Sequence, residues 1–354
     1  MPRLRFIFCL AIFLCASCSK EKVVYVSDPD DVPSTAPLVS VLYDPLALGD
    51  RGYNDLIYRG IENAAYNYGL RALQLSPTSK AEGLATLQTI LDQMSVPQDT
   101  VRRLFIVAGA SYDSYLRENN RRLENNPYAD LLYLETSLPL EGKGSTLYLS
   151  YYGAMYEAGA IAHAVYEDVL LIGANPKVES VRSAVDGFTD GFNAGYPHFY
   201  DDGQLVTCWL SDDASGGFSI ADSTAIRIMN DRAWESVSQL IVPVCGGAAG
   251  TFQRMCDMFG RYDYMGIDTS AEARNCPCSI IKHIDRAISV CIEQWLSSEG
   301  MPKHQRLSFA DGYTEVILHP YTTGQKYLFE EMLTDGFFDT MYEDAVKKEA
   351  EYGL

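Results

Sequence analysis

Positive charge is in short supply in this sequence: 28 lysines and arginines stand against 47 aspartates and glutamates, a formal net charge of −19. The acidic residues are spread along the chain, so the surface repels a phosphate backbone, and nucleic acid is excluded as a partner. Histidine is also scarce. The five present, His163, His198, His283, His304 and His319, are each isolated, and no His-Glu-x-x-His pair occurs. No Gly-x-Gly-x-x-Gly follows a strand, and neither a phosphate-loop lysine motif nor Gly-x-Ser-x-Gly is found. The acidic pairs Asp201-Asp202 and Asp212-Asp213 fall in turn-like contexts. With no nucleophile, base and oxyanion donor set in view, the sequence predicts a binding protein rather than an enzyme, with no cofactor and no metal.

No apolar run is long enough to cross a membrane. "FIFCLAIFLCAS", from Phe6 to Ser17, is too short for that, and it follows the basic residues Arg3 and Arg5. It ends at Ala16-Ser17-Cys18 and gives way to polar "SKEK". This pattern looks like a bacterial lipoprotein signal over residues 1–17, with Cys18 as the lipid-modified first residue. Cys15 stands where leucine is usual, and an ordinary secretory signal cut nearby is the alternative. The expected location is the cell envelope, on its periplasmic or outer-surface side.

Between Cys18 and Cys208 there is no cysteine at all. The remaining six, Cys208, Cys245, Cys256, Cys276, Cys278 and Cys291, lie in the C-terminal half. In an exported chain an even number makes disulfides plausible, but six cysteines allow fifteen pairings. Cys276-Pro-Cys278 lacks a histidine pair nearby, which favours a disulfide or buried thiols over zinc.

What is there is the composition of a folded protein, 47% hydrophobic and 21% charged. After a polar, proline-bearing tether over 18–37, strands and helices alternate. "LVSVLYD", "RALQLSP", "RRLFIVAG" and "DLLYLETS" read as strands, with helices such as "DLIYRGIENAAYNYG" between them. The alternation starts again at "LYLSYYG". It continues through "DVLLIGA", "GQLVTCWLSD", "QLIVPVCGG" and "YDYMGIDTS", then a helix "SIIKHIDRAISVCIEQWLSSEG", a β-rich stretch and an acidic terminal helix. Continuous apolar strands separated by helices predict parallel sheets covered on both faces, in two doubly wound lobes. The expected first lobe is 38–149 with 279–308, and the second is 150–278 with 309–354. In such sheets ligands bind beyond the carboxyl ends of the strands, where "YDPLALGDRGYND" lies.

The residues at those strand ends form an ordered set. "LYDPLALGDRGYNDLIYRGI" places Asp44, Asp50, Gly52, Tyr53 and Asn54 around the first strand-to-helix turn. It is followed by "YYGAMYEAGAIAHAV", "IGANPKVESVRSAVDGFTDGFNAG", "VPVCGGAAG", "MGIDTSAE" and "CSIIKHIDRAI". In order and spacing this series resembles the basic membrane protein family, the purine-nucleoside-receptor-like solute-binding lipoproteins of ABC transporters, from about Leu38 to Pro320. Tyr53 stands where that family has phenylalanine, and Thr269 and Ser270 stand where it often has a second acid. The strand-end segment "TCWLSDDASGGF" does not align cleanly. The resemblance implies a type I periplasmic-binding-protein-like fold, two lobes joined by a hinge around a central cleft. It also implies capture of a small polar heterocycle, most often a purine nucleoside, for a transporter permease in the membrane.

The residue chemistry agrees. Tyr53 offers a flat face for stacking a heterocycle, and Asn54 carries both a donor and an acceptor able to read its edge. Asp44 and Asp268 are carboxylate acceptors for ribose hydroxyls or ring N–H groups. Gly246, Gly247 and Gly250 allow close backbone approach. Lys282, expected in the first turn of its helix, either donates to a hydroxyl or bridges to Asp268. Trp209 and Phe218 are the candidates for a second aromatic. Each has a structural alternative: Tyr53 as an edge cover in a chain with 24 tyrosines, Asn54 as a helix cap, and Asp268 with Lys282 as an ion pair across the hinge. The competing function is a ligand-sensing or scaffold lipoprotein of the same fold that does not transport nucleosides.

Overall fold

The computed structural model describes residues 22–25, 32–197, 203–231, 239–270, 275–319 and 336–353. Cys18 and residues 1–17, expected to be a leader, lie outside the described residues.

The first lobe is built on a seven-stranded sheet. Its core strands are β2 (Leu38–Tyr43), β3 (Arg71–Ser76), β4 (Arg103–Ala108), β5 (Ala129–Leu134) and β6 (Ser145–Leu149). They lie parallel in the spatial order β3-β2-β4-β5-β6. Runs such as "LFIVA" in β4 are buried on both faces, which is why they carry no polar alternation. The helix α1 (Tyr53–Tyr68) turns Leu56, Ile57, Ile61, Ala64 and Ala65 inward, and α2 (Lys80–Met94) and α3 (Asp113–Asn119) serve the opposite face. Within the stretch expected to be a tether, β1 (Lys22–Tyr25) adds antiparallel to the free edge of β3.

The second lobe repeats the winding. Its strands β7 (Asp168–Gly173), β8 (Gln204–Trp209), β9 (Gln239–Val244) and β10 (Asp263–Tyr264) are parallel in the order β8-β7-β9-β10. Met265 separates β10 from β11 (Gly266–Asp268), which pairs with β12 (Cys278–Lys282). The strand expected over "YDYMGIDTS" therefore bridges two sheets. Around these strands pack α4 (Tyr152–Val165), α5 (Glu179–Phe192), α6 (Asp222–Asp231) and α7 (Ala249–Phe259).

After β12 the chain re-enters the first lobe as α8 (Ile284–Leu296), which lays Ile284, Ile288, Cys291, Ile292 and Trp295 against the core around α1. It adds β13 (His304–Leu307) to β6, then returns as β14 (Thr314–Leu318), antiparallel to β12. The terminal helix α9 (Phe337–Tyr352) packs on the second lobe through Met341 and Ala345. The chain thus crosses between lobes at Ser150, at Lys282–His283 and at Ser308. The second falls after Lys282, because residues 279–282 pair in the third sheet.

That pairing also corrects the helix expected from Ser279. "CSIIK" is strand, held on both edges by β11 and β14, and the helix begins only at Ile284. Two adjacent β-branched residues at Ile280 and Ile281 favour the strand, and both pair with the neighbours on either side. All six described cysteines are free thiols, five of them buried. Cys276 Sγ donates to the Cys278 carbonyl at 3.1 Å.

The "GFTDGF" segment of α5 has a packing reason. α4 and α5 approach so closely that a Cβ on Gly159 would meet the Phe188 carbonyl, and one on Gly191 the Tyr156 carbonyl. Both obstructions are backbone, which cannot rotate aside. Gly191→Ala should therefore lower the unfolding free energy by about 1–3 kcal/mol in a urea titration, whereas alanine at open Gly250 should change it by no more than about 0.5 kcal/mol.

Candidate functional site

The "GDRGYND" turn is held together by two carboxylates. Asp50 Oδ1 accepts from the Gly52 and Asp55 N–H groups at 2.9 and 3.2 Å, and Oδ2 from the Asn54 N–H at 3.0 Å. Asp55 reaches back to the N–H groups of Gly49 and Arg51, at 2.8 and 2.9 Å. Asp50 thus supplies the acceptor for the orphan amides at the start of α1, the capping task first given to Asn54. The Asn54 side-chain amide is itself spent on Asp50 Oδ2, at 2.8 Å. With the loop fixed this way, Tyr53 becomes the first residue of α1.

Tyr53 faces the other lobe. Lys282 Nζ lies 5.1 Å from the centre of its ring and 4.9 Å from the ring of Tyr151, in cation–π range of both. The ammonium makes a 2.8 Å ion pair with Glu135 Oε2, the two side chains being 4% and 12% exposed. Asp268 accepts the Tyr151 hydroxyl at 2.6 Å on Oδ1, and its N–H donates to the same hydroxyl at 3.1 Å. The expected Asp268–Lys282 bridge is thus replaced: Lys282 pairs with Glu135, and Asp268 is taken by Tyr151. Lys282 is also the last residue of a strand rather than part of a helix. Around the cluster the lobes touch directly, with the Thr269 hydroxyl donating to the Arg51 carbonyl at 3.3 Å and Asp268 Oδ2 lying against Gly52. An open hollow of about 500 Å3 is lined by Arg51, Asp55, Tyr58, Arg59 and Thr269.

Burial sets the electrostatics. It pushes the Asp268 carboxyl up to about 6, against the lowering effects of the Tyr151 hydrogen bond and of Lys282. It also raises both phenols: Tyr53 next by the charges of Glu135 and Asp268, and Tyr151 by Asp268. Tyr53 Oη and Glu135 Oε1 are both buried, and the phenol faces the Glu135 carboxylate, whose charge and hydrogen bonding help to raise it.

The other expected residues are placed separately. Asp44 follows β2 and accepts the Ser111 hydroxyl, closing the β2 and β4 ends of the first lobe. Burial raises its carboxyl, partly offset by hydrogen bonds from Ser111 and Ala110. Gly246, at φ +53°, begins the turn after β9, and a Cβ there would lie 3.1 Å from the Phe218 ring. Gly247 faces both the Phe218 carbonyl and Asp50 of the opposite lobe. Trp209 ends β8 with its six-membered ring over Gly173, packed on the core of the second lobe.

Sequence reasoning missed Glu135 and Tyr151. Among the described residues Glu135 is one of four non-glycine residues with positive φ (+61°), and Asp268 at +69° is another. Both end strands that face the cluster. The signal available in the sequence was the terminal Glu of "LLYLETS" and the doubled tyrosine of "LSYYG", each at a strand end.

No family model matches the chain, and no curated protein matches it. Solved structures do. An ABC transporter solute-binding protein from Aeropyrum pernix K1 superposes with a TM-score of 0.63 at 15% identity, over 89% of this chain and 86% of that one. A Caulobacter myo-inositol binding protein with its ligand gives 0.60 at 15% identity, over 84% and 98%. A dimeric Lac repressor lacking its C-terminal segment gives 0.54 at 13% identity, over 81% and 99%. The chain has the type I periplasmic-binding-protein fold, which transport receptors and a repressor share.

The raised Asp268 carboxyl yields a pH prediction. A carboxyl with a folded-state pKa near 6, above the ordinary 3.8, binds its proton more tightly when folded. Its contribution to stability is therefore full below about pH 4 and lost as pH rises through about 6. Asp268→Asn should flatten the fall in unfolding free energy across that window, measured by urea titration at pH 4, 5, 6 and 7. An unchanged slope would remove Asp268 from the buried cluster.

Proposed function

We propose that the protein is a lipid-anchored solute-binding protein of the cell envelope. It captures a small polar heterocycle between its lobes, a purine nucleoside above all, and delivers it to an ABC-type permease. The observation that carries this reading is the meeting of Tyr53, at the start of α1 in one lobe, with Tyr151, Asp268 and Lys282, at or just beyond strand ends in the other. The two tyrosine faces suit a planar ring. Asp268, Glu135 and Asp44 are acceptors for ribose hydroxyls and ring N–H groups, and Lys282 is a donor. Gly246 and Gly247, with Phe218 beside them, close the second-lobe side, and Cys18 carries the lipid. Sugar and inositol receptors of the same fold support solute capture in general.

The competing reading, a ligand-sensing or scaffold lipoprotein, draws support from how fully the cluster partners itself, Lys282 with Glu135 and Asp268 with Tyr151. Thr269 and Ser270 also stand where the resembled family often carries an acid.

Thermal shift of the full chain with nucleosides, free bases, inositol and sugars separates the two. A nucleoside at a hundred times its Kd should stabilise by about 2.7 kcal/mol and be recovered chemically unchanged. A response to inositol or sugars alone would keep solute capture and discard the nucleoside; no response to any solute would favour the sensor or scaffold.

Two variants then test the site. Tyr53→Ala should weaken nucleoside binding by about 1–3 kcal/mol, the range for stacking a base on an aromatic, and Tyr53→Phe should retain most of it. Because Lys282 is already paired with Glu135 and stands beside Asp268, a nucleoside 5′-monophosphate should bind at least about tenfold more weakly than its nucleoside by calorimetry. Equal affinity would place the ribose away from these carboxylates.

A further inference from the structure

The terminal helix α9 contributes one residue to the hinge. Glu349 is 1% exposed, far from the ligand cluster in sequence, and reaches two of the three crossings. Its Oε1 accepts the Ser150 hydroxyl and the Gly153 N–H at 3.1 Å, and its Oε2 accepts the Phe309 N–H at 2.7 Å. Ser150 and Phe309 are the points at which the chain enters the second lobe on its first and third passes. These passes are also tied to each other, the Ser150 N–H donating to the Leu307 carbonyl at 2.8 Å and the Thr314 hydroxyl to the Ser150 carbonyl at 3.3 Å. A Cβ on Gly153 would lie 2.6 Å from the Phe309 Cβ, so the two chains touch where the carboxylate grips them.

Most other fastenings of α9 are to the second lobe, while Arg306 of β13 in the first lobe donates to the Gly353 carbonyl at its C-terminal end, at 2.9 Å. Tyr196 donates to Asp344 at 2.5 Å, Tyr352 donates to Asp186 at 2.6 Å, and the Tyr352 ring stacks on Tyr152 with centres 4.3 Å apart. A helix packed mainly on the second lobe thus extends a charged acceptor into the strands that join the two lobes.

We infer that Glu349 is a hinge-positioning residue. It fixes the first and third crossings to the second lobe, so that the lobes rotate about bonds on the first-lobe side of Ser150 and Phe309, and by doing so it sets the balance between open and closed arrangements. Both carboxylate oxygens face donors, so the amide of glutamine must turn its NH2 toward one of them. The inference depends on the two-lobed fold and not on what the cleft binds.

The test is small-angle X-ray scattering of the full chain, fitted to open and closed populations, with circular dichroism to confirm folding. Glu349→Gln should lower the closed fraction about three- to tenfold, the effect expected for the net loss of one ordinary hydrogen bond. Tyr196→Phe, which loosens α9 without touching the hinge, should leave the distribution as in the parent protein. An unchanged distribution in Glu349→Gln overturns the inference, and so does an equal shift in Tyr196→Phe, which would reduce Glu349 to a helix anchor. Should Glu349→Gln not fold, Ser150→Ala carries the test, with a smaller shift in the same direction supporting the inference and none overturning it.

Discussion

The geometry between the lobes follows from the burial of one ammonium group. Lys282 is 4% exposed and carries a charge that is costly to take out of water. Glu135 compensates it from the opposite lobe, and the rings of Tyr53 and Tyr151 present their faces to it. Each of these partners needs its own scaffold. β12 must place Lys282 at the end of a strand, and the Asp50 and Asp55 network must hold the turn so that α1 starts at Tyr53. The ion pair therefore links the windings of both lobes, and removing one member strands the other charge, a loss of about 3–5 kcal/mol in comparable buried pairs.

Backbone strain is concentrated at the same place. Glu135 and Asp268 both adopt positive φ, which side chains with a Cβ rarely do. Such residues persist only where surrounding contacts over-determine them. Here these contacts are visible: Lys282 holds the Glu135 carboxylate, and Tyr151 binds both the carboxylate and the N–H of Asp268. The left-handed turn at each strand end directs an acidic side chain toward the space between lobes, away from the core behind it.

The sequence made the two windings legible because parallel strands buried on both faces read as unbroken apolar runs, as in "LFIVA" and "VLLIG". It singled out Tyr53 at a strand-to-helix turn, Asp268 at a strand end and Lys282 on what read as the first turn of a helix, and the structure brings these three side chains near one another. It misassigned the partners because pairing between lobes depends on tertiary placement that no local pattern encodes. Glu135 looked like an ordinary strand terminus, and Tyr151 was one tyrosine among 24. "CSIIK" read as helix because Ile280 and Ile281 continue the apolar periodicity of α8, whereas its hydrogen bonds come from β11 and β14. The turn at "GDRGYND" was the most deceptive segment. Asn54 has the chemistry to read a ligand, yet its amide is used on Asp50, and the aromatic beside it is the residue that faces the cleft.

Site and hinge share residues to an unusual degree. Tyr151 directly follows Ser150 at the first crossing, and Lys282 directly precedes His283 at the second, where the His283 N–H donates to the Tyr313 carbonyl at 2.8 Å. A rotation of the lobes therefore moves the aromatic and the ammonium as it bends the strands that carry them. In this arrangement the chemistry of the cluster and the angle of closure are not independent. Any molecule that favours Tyr53 over Lys282 and Tyr151 biases the hinge directly, with no relay needed through the lobes. Under the proposed function, the side chains that a solute would touch are the ends of the levers that close around it.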